Sequence, residues 1–577
     1  MSMAGPGLFH RYFRKRQLRT TEPFFKYLEK WILLSSILGL LTGGAVAVFD
    51  NVTNLKLWTY FSNFFSIHVY VIFPIVIMGL LISGLLLKWS STPLGSGTEE
   101  VVKAYNEDSE LDYRSFFKKM CAAAVTIGFG GSAGQEGPSV YAGGAIGSWL
   151  WTKLKGKGLN VDDRRILMLA GAAAGIGAVF KAPLTGIVFA LEVPFKDDLA
   201  HDALVPAMVA SVTSYLVLIA VDGSEPLFRF LPGIVDVTKL NAGDLVTTAI
   251  LAVICGLAAL AFIGVYKNVT KILMKSVPRF YLRAIIGGVI VSAIGVLSVW
   301  MYNEPFPLGL SYDLIRLALT QNTLATTLLI LFGLKLAATS FTMGSTGDGG
   351  IFIPQIVMGA TIGAAFAQIV APSRLDLYVA VGMASFLAAG YKTPLASVTF
   401  VAETTASPGY LIPSLIAAAI SYSITGEASV SDHQKLRNEI DISQIAQLKA
   451  SDVMTRKTIA VPADVSVLDF VEEYLFVYQH KRFPVVDKNG LVGIMSGAEV
   501  KGIPREKWFE TRVIDVCDRN FKTAYPDDDL QKIMDLMQKA GIGRVMIVDR
   551  DKPTRIVGVV SKTDIIRELE RERIGAG

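Results

Sequence analysis

Two stretches decide the fold of this chain: GFGGSAGQEGPSVYAGG (128–144) and GDGGIFIPQIVMG (347–359). Each is a glycine-rich break followed by a helix start inside apolar sequence. Pro138 and Pro354 stand where the new helices would begin, and proline suits a first helical turn since the N–H that it lacks has no partner there. The backbone N–H groups of Gly134–Gly137 are then expected to be free donors at the positive end of a helix. Such a position binds anions.

The two motifs are part of a larger internal repeat. KAPLTGIVFALE (181–192) aligns with KTPLASVTFVAE (392–403), and each follows one of the glycine-rich motifs in the same order. The sequence therefore predicts two repeated halves, residues 31–220 and 245–430. Many transporters are built from such repeats and bind their substrate at the midplane between them. Whether the second half is inverted relative to the first stays open at this point.

The composition is typical of a polytopic membrane protein. The chain has 577 residues, of which 52% are hydrophobic and 18% charged, and its mean hydropathy is +0.46. The runs 31–49 and 71–88 each approach the ~20 residues that cross ~30 Å of hydrocarbon. Further apolar runs lie near residues 166–193, 204–220, 245–265, 284–301, 324–339, 352–371, 377–402 and 410–424.

The N-terminal segment, residues 1–30, is strongly basic and contains HRYFRKRQLR (10–19) ahead of the first apolar run. The positive-inside rule places this segment in the cytoplasm, and we expect the C-terminus there as well. The sequence thus predicts a multi-pass protein in the lipid bilayer of a prokaryotic plasma membrane. The formal net charge of +5 needs no nucleic-acid partner, because basic loops beside a membrane account for it.

The chain changes character after residue 430, where apolar sequence gives way to polar sequence. A linker (431–447) leads to a tail that is itself a repeat, since 452–500 and 513–565 share one order of helical and strand-like segments. Enrichment in Val and Ile supports the strands. The sequence predicts two small α/β domains, residues 448–505 and 506–577.

A third glycine-broken helix start, LGSGTEEVV (94–102), brings the hydroxyl of Ser96. Three such starts in one membrane domain suggest that their N-termini converge on one anion. Glu136 is the acid within the first motif, and an intramembrane acid is a functional hypothesis by default. It would occupy the anion's place when ionised, and swing away or take a proton when an anion arrives. The alternative is a carboxylate that only caps the helix.

Three segments resemble the signature motifs of the CLC chloride channel and transporter family in order and spacing. They are GSGTE (95–99), GQEGP (134–138) and GIFIP (350–354). The tail resembles a tandem pair of CBS domains. The resemblance implies an all-α polytopic membrane domain, with two repeated halves and re-entrant and broken helices, plus a cytoplasmic α/β tandem CBS domain pair. It also implies a homodimer with a separate pore in each subunit.

The resemblance assigns roles to particular residues. Ser96 would be the central chloride-coordinating hydroxyl, and Glu136 the gating glutamate, which is also the outer proton carrier in exchangers. Backbone amides would come from Gly350, Ile351, Phe352 and Ile353. The family's second coordinating hydroxyl is a Tyr, and our best alignment of 423–434 puts Ser431 there, with Tyr422 a poorer candidate.

The departures from the family pattern bear on the transport mode. Thr98 and Glu99 stand where the first motif usually ends in Ile-Pro, and Gln135 replaces the usual Lys or Arg. The inner proton glutamate of many exchangers is Val193 here. A residue that cannot ionise favours a passive chloride channel, and a chloride/proton antiporter is the alternative.

The tail offers a candidate ligand site, although no cofactor is required for transport. Gly558–Asp564 resembles the CBS nucleotide signature, in which Ser561 would meet phosphate and Asp564 the ribose hydroxyls of ATP, ADP or AMP. The alternative is a module that serves only dimerisation.

Two other function classes fit the sequence poorly. A CBS-bearing divalent-cation transporter needs clustered oxygen ligands along its pore, and this membrane domain has only isolated acids. An enzyme or membrane-anchored sensor is disfavoured because no nucleophile–base pair, metal set or Walker-type loop is present. Glu192 and Glu403, at equivalent repeat positions, are expected to cap or pair at helix ends.

Overall fold

The structure, a computed structural model, describes residues 7–565 except 91–94, 157–158, 160–161, 229–240, 321–322, 437–447, 457, 479–481 and 541. Side chains are described from residue 29 onward, apart from Ser90. The basic side chains of the N-terminal segment and most of the predicted linker therefore lie outside the described residues. Contacts divide the chain into two units, Met1–Leu436 and Arg437–Gly577.

The first unit is helical. The first half contains a π-helical turn (Asn51–Trp58) and the helices α1 (Gly7–Asp50), α2 (Thr59–Ile67), α3 (Ile72–Ser90), α4 (Gly97–Asn106), α5 (Phe116–Gly128), α6 (Glu136–Leu154), α7 (Asp162–Val179), α8 (Pro183–Glu192) and α9 (Leu204–Asp222). The second half contains α10 (Ala242–Ser276), α11 (Phe280–Tyr302), α12 (Tyr312–Ala318), α13 (Ala325–Ser345), α14 (Phe352–Val370), α15 (Leu375–Tyr391), α16 (Pro394–Thr404) and α17 (Leu411–Ile424).

Seven stretches of the described helices are long and apolar enough to cross a membrane. They are Glu29–Ile67, Val69–Trp89, His201–Asp222, Ala242–Ser276, Phe280–Tyr302, Ala325–Ser345 and Phe352–Val370. The apolar runs 166–193 and 377–402 are not single helices, contrary to what their length suggests. Each is broken into two where a lysine adopts a left-handed backbone, Lys181 at φ 53° and Lys392 at φ 59°, two residues before a proline that starts the next helix.

The two halves pack their central helix pairs in the same way. A Cβ placed on Gly143 of α6 would lie 1.8 Å from the Gly171 carbonyl oxygen of α7, and one on Gly359 of α14 would lie 2.3 Å from the Gly382 carbonyl oxygen of α15. Only glycine lets these backbones approach so closely. The aligned glycines of the two motifs therefore serve helix packing as well as the helix starts.

The second unit holds the predicted repeat of small mixed sheets. Its elements are α18 (Ala450–Val453), β1 (Val461–Pro462), α19 (Val467–Asp469), a π-helical turn (Phe470–Leu475), β2 (Arg482–Asp487), β3 (Gly490–Ser496), α20 (Gly497–Lys501), α21 (Val513–Val516), β4 (Thr523–Ala524), α22 (Leu530–Ala540), β5 (Arg544–Val548) and β6 (Ile556–Ser561). The first sheet has the order β1-β2-β3 and the second β4-β5-β6. In each, the first pair is parallel and the second antiparallel.

Helix ends in the tail are capped by acids. Burial would raise the pKa of Asp528, but its hydrogen bond with Lys532 and that from the backbone N–H of Tyr525 outweigh burial and hold this pKa below its usual value. The Asp528 carboxylate lies 2.7 Å from the Lys532 Nζ. A carboxylate near the start of α22 also faces the positive end of that helix.

Candidate functional site

The glycine-rich motifs of the two halves are hydrogen-bonded directly to one another. The Gly134 N–H donates to the Gly350 carbonyl at 2.8 Å, and the Gly350 N–H donates to the Gly134 carbonyl at 2.7 Å, as an isolated antiparallel bridge. This corrects two expectations, since neither Gly134 nor Gly350 offers a free N–H to an anion here. Both donors are used to join the halves, so the anion-facing donors must come from later residues of each motif.

Glu136 is the first residue of α6 and is fully buried. Its Oε1 accepts the Phe352 N–H at 2.6 Å, while Oε2 has no hydrogen-bond partner among the described residues. A Cβ on Gly134 would lie 1.9 Å from Oε2, and one on Gly350 would lie 1.8 Å from Oε1. The carboxylate thus fills a space that exists because both flanking positions are glycine, at the N-terminus of α14.

Phe352 is the first residue of α14, and it is buried together with Ile351 and Ile353. The donor to Glu136 is therefore one of the unpaired N–H groups that begin every helix. A negative carboxylate at this place is stabilised as an anion would be. The geometry brings Glu136 onto the helix start of the other half, a contact across 216 residues of sequence.

The third helix start approaches the other two. Ser96 is the N-cap of α4, and its buried hydroxyl has no hydrogen-bond partner within the described part of the chain. A Cβ on Gly137 would lie 2.9 Å from Ser96 Oγ and 2.6 Å from the Gly349 carbonyl oxygen. Ser96, the first turn of α6 and the loop before α14 therefore meet at one place, as the sequence predicts.

A cavity of about 440 Å³ opens beside Ser96. Its lining residues are Gly95, Ser96, Glu99, Tyr266, Lys267, Thr270, Lys271, Ile351, Tyr391, Val430, Asp432 and His433. The lining includes lysines, a histidine, hydroxyl groups and two acids. Polar and charged groups therefore line the space beside Ser96.

Tyr391 is the functional candidate that the sequence reasoning missed. Its side chain is 2% exposed, and its hydroxyl has no hydrogen-bond partner in the described residues, although it lies beside Ser96. Leaving a buried hydroxyl unpaired costs about 1–3 kcal/mol, so two such groups facing one cavity indicate a ligand site. The available signal was the position of Tyr391 immediately before the repeated Lys-Thr-Pro-Leu segment.

Ser431 lies close to this cavity but takes no part in its wall among the described residues, whereas Val430 and Asp432 on either side do. Its buried hydroxyl lies beside the Glu99 carboxylate without reaching hydrogen-bond geometry. Tyr422 is turned elsewhere, because its hydroxyl donates to the Lys196 carbonyl at 2.7 Å. The second hydroxyl that faces Ser96 therefore belongs to Tyr391.

Two fully buried lysines support the site and were also missed. Lys335 of α13 donates to the Ser311 hydroxyl at 2.7 Å and the Gly309 carbonyl at 3.2 Å, and its charge reaches Glu136. Lys119 of α5 pairs with Glu100 and, at 3.4 Å, with Asp348. A lone lysine inside the apolar run 324–339 was the signal for Lys335, since such a charge is expensive in a membrane. Lys119 follows Lys118 in FFKKM (116–120) and carried no such signal.

Glu192 and Glu403 cap each other's helices. The Glu403 carboxylate accepts the backbone N–H groups of Leu184 and Thr185 at the start of α8, at 2.9 and 2.7 Å. The Glu192 carboxylate accepts those of Leu395 and Ala396 at the start of α16, at 3.0 and 2.8 Å. The expected capping role is confirmed, and the reciprocity shows that α8 and α16 run antiparallel.

The two tail residues predicted to bind nucleotide interact with each other. The Ser561 N–H and hydroxyl both donate to Asp564 Oδ2, at 2.9 and 2.5 Å, and the Thr455 hydroxyl donates to Oδ1 at 3.2 Å. Ser496 and Glu499 make the same arrangement in the first tail repeat. Helix capping accounts for these contacts, and the nucleotide role stays a prediction.

The described residues contain no group of three or more His, Cys, Asp or Glu side chains placed to hold a metal ion. The acids at or near the site are instead bound to backbone N–H groups, as Glu136 and Glu99 are, or to Lys119, as Glu100 and Asp348 are. The site is therefore built from helix N-termini, hydroxyls and the Glu136 carboxylate.

Comparison with known families gives two matches. The family model described as voltage gated chloride channel matches residues 78–426, and the CBS domain model matches residues 450–500 and 513–571. These matches cover most of the helical unit and both tail repeats. The predicted fold class is thereby confirmed.

Curated relatives and solved structures agree with the family models. An uncharacterized protein of Methanocaldococcus jannaschii is 28% identical over 70% of this chain and 95% of its own length. The voltage-gated ClC-type chloride channel ClcB of Shigella boydii is 25% identical over 70% of this chain and 98% of its own. A CLC-type fluoride/proton antiporter structure superposes with a TM-score of 0.60 at 25% identity, covering 71% and 98% of the two chains. A eukaryotic CLC transporter, at 17% identity and a TM-score of 0.60, shares the fold over 93% and 98%.

Proposed function

This chain belongs to the voltage-gated chloride channel family of anion transporters, and from that membership we propose that it moves chloride through a pathway in each subunit, gated by Glu136. The observation that carries the proposal is the Glu136 carboxylate on the Phe352 N–H at 2.6 Å. A carboxylate held by a helix N-terminus occupies a position that suits a small anion equally well. The gate is closed while the carboxylate stays there.

Opening follows from competition for the same donors. When an anion replaces Glu136 at the N-terminus of α14, the carboxylate must leave or take a proton, because two negative charges at that distance repel. Backbone N–H groups of Ile351, Phe352 and Ile353 would then face the anion, without the Gly350 N–H that is bonded to Gly134. Lys335 adds a positive charge that helps to hold either occupant.

From this gate the anion passes to Ser96 and the cavity. The unpaired hydroxyls of Ser96 and Tyr391 would donate to it and replace part of its hydration. The hydroxyls of Ser96 and Tyr391 carry only partial charges, so binding at this step is weak enough to allow release. Tyr391 takes the place in this proposal that Ser431 held on sequence grounds.

Passive channel behaviour remains the proposed mode, since Val193 offers no proton acceptor and is 1% exposed. Chloride/proton antiport is the alternative, and one observation favours it: the superposed relative at 25% identity is named a fluoride/proton antiporter. A divalent-cation transporter receives no such support.

The proposed setting is a homodimer in a prokaryotic plasma membrane, with both termini cytoplasmic. Large apolar side chains on the outer helix surfaces, such as Leu33, Leu85, Leu257 and Trp300, are 56% exposed or more, which suits lipid or a second copy. For the tail we propose adenine nucleotide binding near Ser561 and Asp564, which rests on the matched CBS model.

The test is flux from vesicles containing the purified full-length protein. A chloride gradient is imposed while external chloride and external pH are followed. We expect chloride release without uphill proton movement; proton movement against its gradient would establish antiport instead. Glu136→Gln, which removes the charge and keeps the shape, should speed chloride release and abolish any proton movement.

Asp313→Asn is the matched control, because Asp313 is an exposed acid paired with Arg316 away from the site. It should behave as wild type. Absence of chloride flux from well-folded protein would refute chloride transport, and proton pumping by Glu136→Gln would refute the role of Glu136.

A further inference from the structure

An acid at the mouth of the Ser96 cavity has no part in the mechanism above. Glu99 lies on α4 one turn after Ser96, where the family motif usually has proline, and its side chain lines the cavity. Its Oε1 accepts the backbone N–H groups of Asp432 and His433, at 2.9 and 3.0 Å. The side chain is 29% exposed, so water and protons reach it.

The surroundings of Glu99 carry both signs of charge. From α10, Tyr266, Lys267 and Lys271 line the same cavity. From the segment after α17, the Asp432 side chain pairs with Lys267, and the His433 Nε2 lies 3.9 Å from the Glu99 Oε1. The cation of Lys267 is thus already matched by Asp432. His433 is left to balance Glu99, and Lys271 lines the same cavity.

Within the described part of α4, no ion pair joins Glu99 to a basic side chain. Glu100 pairs with Lys119, which is buried beneath it. Lys103 lies one turn further along α4. Among the described residues, the groups that face the Glu99 carboxylate are therefore the 432–433 backbone, His433 and the polar lining of the cavity.

The same cavity is lined by the residues of the two unpaired hydroxyls. Ser96 and Tyr391 are more than nine-tenths buried, and neither hydroxyl has a hydrogen-bond partner within the described ranges. A ligand between them is an anion if chloride transport is right. An ionised Glu99 in the same cavity, at the N-terminal turn of the helix that Ser96 caps, opposes that anion and weakens the positive end of α4.

We propose that Glu99 is a proton-binding site whose proton and an anion between Ser96 and Tyr391 favour each other's binding. The inference rests on the proposed chloride transport and goes beyond it. The proton comes from water at the mouth and adds to a carboxylate oxygen, and no other bond changes. Because such coupling is reciprocal, anion entry raises proton occupancy at Glu99 and proton entry raises anion occupancy.

The test is calorimetric titration of the full-length protein with chloride, in Glu136→Gln protein so that the gate does not titrate. A nearby anion raises the pKa of a carboxyl group above its ordinary value of about 4.3, so measurements at about pH 5 and about pH 7.5 bracket its change in charge. We expect chloride to bind about tenfold more tightly at the lower pH. Adding Glu99→Gln should give tight binding at both values, because the amide oxygen keeps the contact with the 432–433 backbone without the charge.

Two further variants separate Glu99 from its neighbours. His433→Asn and Asp432→Asn, each added to Glu136→Gln, should keep the pH difference, since each leaves the Glu99 carboxylate and its backbone partners in place. Loss of the pH difference in His433→Asn, with retention in Glu99→Gln, would assign the proton to His433 and overturn the inference.

The outcomes also distinguish the inference from the function on which it rests. Chloride binding of equal strength at both pH values in Glu136→Gln protein would overturn the role of Glu99 and leave chloride transport standing. No chloride binding at either pH in folded protein would overturn both.

Discussion

At the scale of single residues, the hydroxyl of Tyr391 is the most direct test of the anion site. Tyr391→Phe removes one oxygen from the cavity and leaves the ring packed on Phe189 and Phe352. We expect chloride affinity to fall about tenfold, since a hydrogen bond to a charged partner contributes about 1.5–3 kcal/mol and the remaining ligands relax. Calorimetric titration of the full-length protein with chloride measures the change.

Tyr378→Phe is the matched control on the same helix, α15. Its hydroxyl bonds to Thr247 at 2.7 Å and is no part of the cavity wall among the described residues. This variant should keep its chloride affinity. Equal affinities for wild type and Tyr391→Phe would mean that another residue supplies the second anion-coordinating hydroxyl, and Ser431 would be the first candidate.

At the scale of elements, the reciprocal caps of α8 and α16 hold the two halves together. Glu403→Gln leaves one of the three donors from Leu184 and Thr185 without its acceptor and removes a charge from a helix N-terminus. We expect a loss of about 1–3 kcal/mol in the free energy of unfolding, seen as a lower melting temperature of the purified protein. Glu427→Gln, at a side chain that is 77% exposed, should leave the melting temperature unchanged; equal losses would mean that the cap contributes nothing specific.

At the scale of the whole molecule, we infer from the antiparallel bridge between Gly134 and Gly350 and from the reciprocal caps that the halves are inverted repeats. Equivalent helix ends should then face opposite sides of the membrane. Lys155 after α6 and Ser373 after α14 are both exposed, so we expect Lys155→Cys and Ser373→Cys to react with an impermeant thiol reagent from opposite sides. The labelling is done in protein whose native cysteines, Cys121, Cys255 and Cys517, have been replaced. Labelling of both from one side would contradict inversion.

The sequence by itself determined the features that depend on local chemistry. Glycine and proline positions predicted the helix starts at Ser96, Glu136 and Phe352, and the repeated segments predicted two halves and two small α/β domains. These signals are local, because a missing N–H, a missing Cβ or a run of apolar side chains acts within a few residues. These patterns made Glu136 a functional candidate, and the family resemblance assigned it the role of the gating glutamate.

Only the tertiary structure decided what meets across the halves. It joined Gly134 to Gly350, which removed two expected donors, and placed Glu136 on the Phe352 N–H. It also turned Tyr391, rather than Ser431, toward Ser96. These contacts join residues about 200 or more positions apart, or depend on which side of a helix end faces a cavity, and a fully apolar run has no hydrophobic period that tells one side from another.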